Sequence, residues 1–550
     1  MILKDSIDRY YILFLAGIFL ILIAGLGSYG LAETSEARYA EISREMLMNG
    51  DYLNPELLGI FHFHKPPITY YITTLGYRIF GINEFGARFF LQVALVLQFL
   101  LVYRFTNLLY NDKRIGFMAG VLFFSIPIVL ISCRNLTTDA FLATFILASI
   151  YFWQAYSSKG KILFLYLFYL MVGLALLTKG PVALLFVLVY IIIDKIVFKK
   201  RSNFSIHHFI GLVICTSIGA SWYVLVMIEN PKLWEYFIQK QLISRVNSNS
   251  FNRAKPFWYY LPIVFGLLLP WWLAMIPNLK SHLKSLSDKP PQSKVLIYSS
   301  LLLLIIFSAF STKLIMYILP IFSMLAMLAA VEIYNAQPIT RTILNISYGA
   351  LFFLLLAGIM VLKFGSFEWY VISKHSLFLS ALLLVLFLAT YYFIDKTKNY
   401  KPVALAGILG IATVLISTSF MAQNSWLTNS PREMIHFIQN KSSDKEKTIL
   451  VYDYLLASIP FYSDGEYITL KYKHYTSNRE VQFENDDTYK DYLWDLKKEE
   501  SVERLNTLSQ MDNTFLLVLN RRDLAENLSF LKDNFNSQKE YPKWTIYYND

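Results

Sequence analysis

The sequence predicts an α-helical polytopic membrane protein that carries a small α/β domain at its C-terminal end. Of its 550 residues, 55% are hydrophobic and 16% are charged, and a soluble protein of this length would expose much of that apolar surface. The apolar residues form long runs, and a helix needs about 20 of them to cross a bilayer. Such runs recur from Tyr11 to about Phe420 and then stop. We therefore expect a transmembrane domain over residues 1–420 and a separate domain over residues 421–550.

The apolar runs predict about 13 transmembrane helices. The first run is too long for the core of a signal peptide and has no clear small-residue cleavage site, so we expect it to be retained. The predicted spans are 10–30, 87–105, 115–132, 138–154, 162–177, 180–197, 208–228, 258–276, 295–310, 315–331, 343–362, 375–394 and 402–420.

The positive charges predict how the chain crosses the membrane. The net charge is +11, but much of it lies in short loops between apolar runs, which indicates membrane orientation rather than a nucleic-acid partner. Basic loops of this kind favour the cytoplasmic side. With the N-terminus inside and an odd number of spans, the domain over 421–550 and two long loops, 31–86 and 229–257, are expected on the periplasmic side. The basic loop residues are Arg104, Lys113, Arg114, Lys159, Lys161, Lys195, Lys199, Lys200, Arg201, Lys280, Lys284, Lys289, Arg341, Lys396, Lys398 and Lys401.

The first outer loop begins with a predicted amphipathic helix. Ser35 is a capping residue, and Tyr39, Ile42 and Met46 recur on one helical face. The sequence Asn-Gly-Asp at 49–51 ends the helix. A helix of this type also serves as a plain interfacial connector between spans, and the pattern alone leaves both interpretations open.

The segment 62–72, HFHKPPITYYI, places a lysine just before an aromatic run at the expected membrane surface. Lys65 suits a lipid phosphate, either within a site or by simple attraction to anionic headgroups. His62 and His64 alternate, so on an extended chain both face one side, and they are candidate metal ligands. Nothing close in sequence supplies a third ligand.

Several ionisable residues lie at the outer ends of the predicted spans. Asp139 begins the fourth span, and Arg134 is its simplest partner; such a group is costly near a membrane unless it is paired. Lys179 lies between two apolar runs, and Lys313 and Tyr317 are one helical turn apart. Each lysine either belongs to a functional site or only extends its ammonium group to the membrane interface. Cations suit a phosphate-bearing lipid, and a carboxylate suits activation of a hydroxyl. Together they indicate transfer of a group from a lipid phosphate.

The C-terminal residues differ in kind from the rest. They are polar, with strand-like runs at 448–452, 467–472 and 514–519 and helical stretches at 491–508 and 522–534. Strands that alternate with helices predict a small α/β domain.

Seven sequence blocks, in order along the chain, resemble the GT-C-type membrane glycosyltransferases. The resemblance is to the branch that contains the protein O-mannosyltransferases and the lipid A aminoarabinose transferase, and the span count and C-terminal domain are more similar to the latter. The blocks are 36–52, 62–72, 83–89, 134–142, 173–185, 257–271 and 311–320, among them EARYAEISREM, HFHKPPITYYI and STKLIMYILP.

The resemblance implies an inverting, single-displacement transfer of a sugar from a polyprenyl phosphate to an acceptor hydroxyl or phosphate. The reaction would take place at the periplasmic face of the bacterial inner membrane, and the acceptor would be lipid A, another envelope glycolipid or glycan, or a protein. No cofactor would be required, although the histidine pair leaves room for a divalent metal. The implied catalytic carboxylates are Glu36, Glu33 and Asp139, and the implied ligands of the donor phosphate are Lys65, Arg38, Lys179, Arg245, Lys313 and Tyr317.

The chain departs from the family pattern at three positions. Ser35 replaces the aspartate of the usual Asp-Glu pair, His64 replaces an acidic residue before Lys-Pro, and Gln241 replaces a histidine of the second outer loop. Two other interpretations therefore stay open: an inactive relative that only binds polyprenyl phosphate, and a lipid or solute transporter. Transporters place polar residues near the membrane midplane, often in repeated halves. Here the charges lie at helix ends, and no repeat is visible.

Overall fold

The structure, a computed structural model, describes residues 6–200, 204–243, 255–273, 288–367, 369–442 and 447–549. Within these ranges a helical part ends at Gln423, and a domain built on a six-stranded sheet follows it. The helices of the helical part are α1 (Ser6–Ile23), α2 (Ser35–Asn49), α3 (Ile68–Phe80), α4 (Glu84–Tyr110), α5 (Lys113–Phe124), α6 (Pro127–Arg134), α7 (Thr138–Lys159), α8 (Ile162–Lys179), α9 (Val182–Phe198), α10 (Ile206–Glu229), α11 (Lys232–Glu235), α12 (Tyr260–Leu267), α13 (Pro291–Ala309), α14 (Ile321–Tyr334), α15 (Pro338–Phe364), α16 (Lys374–Phe393) and α17 (Lys401–Gln423).

The prediction of an α-helical polytopic membrane protein is confirmed. Nine helices of the described residues are long and apolar enough to cross a membrane, and a tenth span results if α5 and α6 are taken together. The predicted number of 13 is not confirmed. The helices α9, α12 and α14 overlap three of the predicted spans, 180–197, 258–276 and 315–331. Their lengths of 17, 8 and 14 residues are less than the about 20 residues that cross a bilayer.

The bend between α5 and α6 has a local cause in the sequence. The two helices meet at 63° across Ser125 and Ile126. Pro127 is the first residue of α6, where its missing N–H group is not needed by the helix. The residue before a proline is pushed out of helical geometry, and Ile126 is extended with ψ 121°. Arg134, at the end of α6, is thereby turned away from the axis of α5.

The short basic loops gather at one end of the helical part. Lys113 pairs with Asp8 at 2.6 Å, Lys289 pairs with Glu332 at 2.5 Å, and Arg341 donates a hydrogen bond to the carbonyl oxygen of Thr397. The opposite end carries α2, α3 and the C-terminal domain. The predicted helix of the first outer loop is present as α2, and it ends at Gly50, whose φ of 74° is left-handed.

The C-terminal α/β domain is also confirmed. Its strand order is β3-β2-β1-β4-β6-β5, in which β3, β2, β1 and β4 run parallel and β6 runs antiparallel to both β4 and β5. The helix predicted over 522–534 forms only at its end, as a 3-10 turn at Glu526–Leu528 and an α-helix at Phe530–Asn534, because Ala525 is extended and its N–H group donates to the hydroxyl of Tyr452. The strands are β1 (Thr448–Tyr452), β2 (Glu466–Lys471), β3 (Leu493–Asp495), β4 (Thr514–Leu519), β5 (Ser537–Glu540) and β6 (Trp544–Tyr548), and the helices are α18 (Arg432–Lys441), α19 (Ile459–Tyr462), α20 (Glu499–Ser509) and α21 (Phe530–Asn534).

The domain is hydrogen-bonded to the first outer loop along much of that loop's length. The N–H group of Leu31 donates to the hydroxyl of Tyr462 at 2.8 Å, and the N–H group of Phe61 donates to the Glu484 carboxylate at 2.7 Å. Arg479 donates to the carbonyl oxygen of Leu57 at 3.2 Å. The loop is therefore enclosed between the helices below and the domain above.

The close packing of α3 on α4 gives a stability prediction. A Cβ at Gly76 would lie 2.2 Å from the carbonyl oxygen of Gly86, so Gly76→Ala must push the two helices apart. We expect a lower midpoint temperature of unfolding in detergent, corresponding to about 1–3 kcal/mol of overpacking. Gly17→Ala is the control, because a Cβ there meets no atom of the described residues within 4 Å. Equal midpoints for the two variants would show that α3 and α4 are not tightly packed.

Candidate active site

Arg88 of α4 and Glu36 of α2 form a fully buried ion pair. The Arg88 Nε lies 2.7 Å from Glu36 Oε1, and its Nη2 lies 2.8 Å from Oε2. The other three N–H groups of Arg88 donate to the carbonyl oxygens of Leu26, Tyr29 and Gly30 at 2.8–2.9 Å. Its guanidinium also lies 3.8 Å from the centre of the Tyr29 ring. All five N–H donors of Arg88 are thus used, and none is left to hold a ligand.

The Glu36 carboxylate is equally occupied. Besides Arg88, it accepts hydrogen bonds from the N–H groups of Ala32 at 2.7 Å and Leu136 at 3.0 Å. This geometry gives Glu36, a predicted catalytic carboxylate, the role of joining the start of α2 to α4 and to the α6–α7 connection. Arg88 lies in the block 83–89, but its role was not predicted from the sequence. An arginine within an apolar run was the available signal, because such a charge needs a buried partner.

Glu33, the second predicted carboxylate, lies against the C-terminal domain. It accepts hydrogen bonds from the Ser458 hydroxyl at 2.6 Å and from the N–H groups of Ser458 and Ala457 at 2.9 and 3.2 Å. Burial raises the pKa of Glu33 to about 7, and these three donors and the neighbouring Arg38 oppose the rise. Glu33 therefore joins the outer loop to the domain and changes its charge near neutral pH.

Asp139, the third predicted carboxylate, is paired with Lys179 and not with Arg134. Helices α7 and α8 are antiparallel neighbours, so the first turn of α7 and the last residue of α8 lie at the same end. The Asp139 Oδ1 lies 2.5 Å from the Lys179 Nζ, and the two side chains are 12% and 10% exposed. The Lys179 Nζ lies 4.9 Å from the centre of the Tyr317 ring. Three predicted site residues from three separate helical segments thus meet.

Tyr39 of α2 extends this group toward the outer loop. Burial raises the pKa of Tyr39 to about 12, and the nearby Asp139 carboxylate adds to the rise, while Arg38 lowers it. Arg38 has a buried Nε with no hydrogen-bond partner among the described residues. The carboxylate, the lysine, both tyrosines and Arg38 are therefore close neighbours.

The predicted metal ligands lie beside the same cations. The rings of His62 and His64 meet edge to face at 4.2 Å, and His64 Nδ1 is hydrogen-bonded to the hydroxyl of Tyr236. The pKa of His62 is well below its ordinary value because the ring is buried and because His64, Arg38, Arg479 and Lys65 lie nearby. His62 is thus neutral at neutral pH. In the part of the chain that the structure describes, no three His, Cys, Asp or Glu side chains form a group that would hold a metal ion.

Lys313, another predicted phosphate ligand, is hydrogen-bonded to the backbone. Lys313 is only 2% exposed, and its ammonium donates hydrogen bonds to the carbonyl oxygens of Lys255, at 2.9 Å, and Phe310. Lys313 therefore satisfies backbone carbonyl groups. Arg245 lies outside the described residues. Arg479 of the C-terminal domain, in contrast, joins the cations around His62, and no motif in its neighbourhood indicated it.

Comparisons with known proteins identify similar sequences and a similar fold. A family model described as dolichyl-phosphate-mannose-protein mannosyltransferase matches residues 64–223. Among curated proteins, the undecaprenyl phosphate-alpha-4-amino-4-deoxy-L-arabinose arabinosyl transferase of Aeromonas salmonicida is 33% identical over 304 residues, 54% of each chain. The enzyme of the same name from Photorhabdus laumondii is 30% identical over 357 residues, 63% of each chain. The matches to these curated relatives thus span between about half and two thirds of their length.

The match in fold covers nearly the whole chain. The crystal structure of ArnT from Cupriavidus metallidurans bound to undecaprenyl phosphate superposes with a TM-score of 0.75 at 18% identity, over 98% of both chains. The fold of the chain is therefore that of the ArnT structure. The chain is similar to the undecaprenyl-phosphate aminoarabinose transferases in sequence over its matched residues, and to ArnT in fold over almost its full length.

The buried ion pair predicts that Glu36 and Arg88 contribute to stability. Glu36→Gln or Arg88→Met leaves one buried group without its charged partner, which is expected to cost about 3–5 kcal/mol. We expect each variant to unfold in detergent at a clearly lower temperature, and the double variant to lose less than the sum of the two. Arg78→Gln, which alters an outer arginine bonded to Tyr52, is the control. Wild-type stability in Glu36→Gln would show that the pair is not structural.

The raised pKa of Glu33 predicts a pH-dependent stability. The folded protein holds a proton on Glu33 up to about pH 7, whereas the unfolded chain releases it near the ordinary value of 4.5. The free energy of unfolding should therefore fall as the pH rises between these two values and level off above the higher one. Glu33→Gln should reduce the difference in unfolding temperature measured between pH 5 and pH 8. The control is Asp464→Asn, which alters an exposed carboxylate of the C-terminal domain. An unchanged difference in Glu33→Gln would contradict the assignment.

Proposed function

We propose that the protein transfers a sugar from a polyprenyl-phosphate donor to an envelope acceptor at the periplasmic face of the bacterial inner membrane. The names of the similar proteins support undecaprenyl phosphate as the lipid carrier and 4-amino-4-deoxy-L-arabinose as the sugar. Lipid A is the acceptor that we favour, ahead of other glycolipids, glycans or proteins. The resemblance found in the sequence supports this choice, and the similarity in fold to ArnT bound to undecaprenyl phosphate supports the lipid carrier.

The observation that carries the proposal is the group formed by Asp139, Lys179, Tyr317 and Arg38. These residues lie where α2, α7 and α8 meet, at the end of the helical part that is covered by the C-terminal domain. The Lys179 ammonium is held by a carboxylate and an aromatic ring, so its position is defined before any ligand arrives. Cations placed in this way suit the phosphate of a lipid whose chain lies among apolar helices.

The group supports a single-displacement reaction. An oxygen of the acceptor forms a bond to the anomeric carbon of the sugar while the bond from that carbon to the donor phosphate breaks. The bonding electrons leave with the polyprenyl phosphate, whose charge increases in the transition state. Lys179, Arg38 and Lys65 stabilise that charge, and the configuration at the anomeric carbon inverts.

The state of the carboxylates supports a phosphate acceptor over a hydroxyl. A hydroxyl needs a base to take its proton, and Asp139 would have to act while paired with Lys179. A phosphate monoester is already ionised, so it can attack without a base. Because Glu36 and Glu33 are both engaged in other hydrogen bonds, an anionic nucleophile suits the site better. The proposed reaction requires no cofactor, and a divalent metal at His62 and His64 stays a prediction.

The orientation is supported by the charge distribution. The basic loops gather at the end of the helical part that is opposite to the proposed site, and basic loops favour the cytoplasmic side. The site and the C-terminal domain would then face the periplasm. A transporter is less well supported, because the notable charges lie at helix ends and the similar proteins carry the names of transferases.

Purified enzyme variants test the site. With undecaprenyl-phosphate-linked 4-amino-4-deoxy-L-arabinose and lipid A, we expect Lys179→Ala and Lys65→Ala each to lower the rate of transfer by at least about 100-fold, because each removes a cation that stabilises the leaving phosphate in the transition state. Lys161→Ala, in a basic loop at the opposite end, should transfer at the wild-type rate. The unfolding temperature of each variant is measured alongside to separate catalysis from folding. Full activity in both site variants would overturn the assignment.

The acceptor is identified by mass spectrometry of lipid A and total envelope glycans from a deletion strain. Loss of one sugar from lipid A is the expected result. Loss of a sugar from another glycan would keep the transferase and change the acceptor. No change in any glycan would contradict the proposed function.

A further inference from the structure

A cavity of about 880 Å³ lies between the helical part and the C-terminal domain. It is lined from below by α6 and α17, at the side by the connection between α1 and α2, and from above by the ends of strands β4 and β6. Asp139, Lys179 and Tyr317 are not among its lining residues. The cavity is therefore separate from the group to which we assign the donor phosphate.

The lower wall of the cavity is apolar and reaches the outer surface of the helices. Leu130 and Ile131 of α6 face Val414 and Met421 of α17 across it. Ile131 is 51% exposed, so the wall continues to the surface that would contact the membrane. Such a wall suits hydrocarbon chains.

Arg134 enters the cavity from the end of α6 without a partner. Its side chain is only 8% exposed, and its Nε, Nη1 and Nη2 are all buried with no hydrogen-bond partner among the described residues. The backbone is fixed, because the hydroxyl of Tyr29 donates to the Arg134 carbonyl oxygen at 3.0 Å. A buried guanidinium without hydrogen bonds is costly, so its position points to an anionic ligand.

Two further cations line the same cavity from the C-terminal domain. Arg521 follows β4 and Lys543 precedes β6, and the two loops are joined by a hydrogen bond of 2.9 Å from the N–H group of Asn520 to the Lys543 carbonyl oxygen. Burial and the nearby Arg521 lower the pKa of Lys543, which shows that the two charges are close. The lining carboxylates, Glu33 and Glu36, are already occupied by Ser458 and Arg88. Since Glu36 is paired with Arg88 and Glu33 has a pKa raised to about 7, the three cations exceed the negative charge that the lining residues carry at neutral pH.

We propose that this cavity binds the phosphate-bearing headgroup of the acceptor lipid, with Arg134, Arg521 and Lys543 as its phosphate ligands. The acyl chains would lie along α6 and α17. The identification of the ligand as the acceptor rests on the proposed function, whereas the prediction of an anionic amphiphile rests on the cavity alone.

The position of the cavity relative to the donor group favours the acceptor. Glu36 lines the cavity, while Arg38, two residues further along α2, lies beside Tyr39 and the Asp139 group. The two sites therefore flank the first turns of α2, so the two lipids can meet there. Three cations spread over two walls also suit a lipid with more than one phosphate better than a single phosphate monoester.

Equilibrium binding to the full-length protein in detergent tests the inference with three probes: diphosphoryl lipid A, undecaprenyl phosphate and inorganic phosphate. Arg134→Gln and the double variant Arg521→Gln with Lys543→Gln should each weaken lipid A binding by at least about tenfold, because charge-assisted hydrogen bonds are lost. Both should bind undecaprenyl phosphate as the wild type does. Lys532→Gln, an exposed lysine of the same domain that does not line the cavity, is the matched control.

Each other outcome overturns the inference. Unchanged lipid A binding in the variants would show that the cations do not hold the headgroup, and a selective loss of undecaprenyl phosphate would assign the cavity to the donor. Inorganic phosphate that binds the wild type as tightly as lipid A would show that the acyl chains contribute nothing. If Arg134→Gln does not fold, the double variant alone decides. The affinity for lipid A is measured without any transfer of sugar, so it tests the cavity independently of the proposed function. A wild type that binds lipid A but transfers no sugar would refute the proposed function and leave the inference about the cavity intact.

Discussion

The buried pair of Arg88 and Glu36 is the interaction on which the outer end of this protein depends. One guanidinium and one carboxylate, neither in contact with solvent, together take part in seven hydrogen bonds. Two of these are the bonds of the pair, and the other five reach the backbone of the α1–α2 connection and of Leu136. A buried charge pair with such complete hydrogen bonding is stable only as a unit, because removal of either partner leaves the other charge uncompensated. The pair therefore fixes the chain that leads into α2 against α4 and against the connection between α6 and α7.

Both proposed sites are built outward from this pair. Leu136, which donates to Glu36, is three residues before Asp139 and two residues after Arg134. Asp139 belongs to the group with Lys179, whereas Arg134 belongs to the cavity under the C-terminal domain. The same short connection thus supplies a residue to each site, and its position is set by one hydrogen bond to a carboxylate. This explains how two phosphate-bearing lipids can be held close together without sharing ligands.

The C-terminal domain completes the outer end. Tyr462 and Glu484 accept hydrogen bonds from N–H groups of the outer loop, and Ser458 donates a hydrogen bond to that loop. The domain also adds positive charge, through Arg479 near His62 and through two cations of the cavity, Arg521 and Lys543. Because β4 and β6 are antiparallel neighbours, the loop after β4 and the loop before β6 lie at the same edge of the sheet, over the helical part. In this arrangement the membrane helices supply the apolar walls and the domain supplies much of the anion-binding surface.

The sequence by itself determined the polytopic helical class, the amphipathic helix with its end at Gly50, most of the parallel strands and the set of cations at one end of the spans. These features follow from local hydrophobicity, periodicity and loop charge, which are properties of neighbouring residues. Only the tertiary structure decided the partners: Asp139 pairs with Lys179 rather than with Arg134, Glu36 is bound to Arg88, and Lys313 is used by backbone carbonyl groups. The physical reason is that a buried charge takes its role from whichever group lies within hydrogen-bond distance. In the two ion pairs, those groups lie on different helices and are 40 and 52 residues apart in sequence.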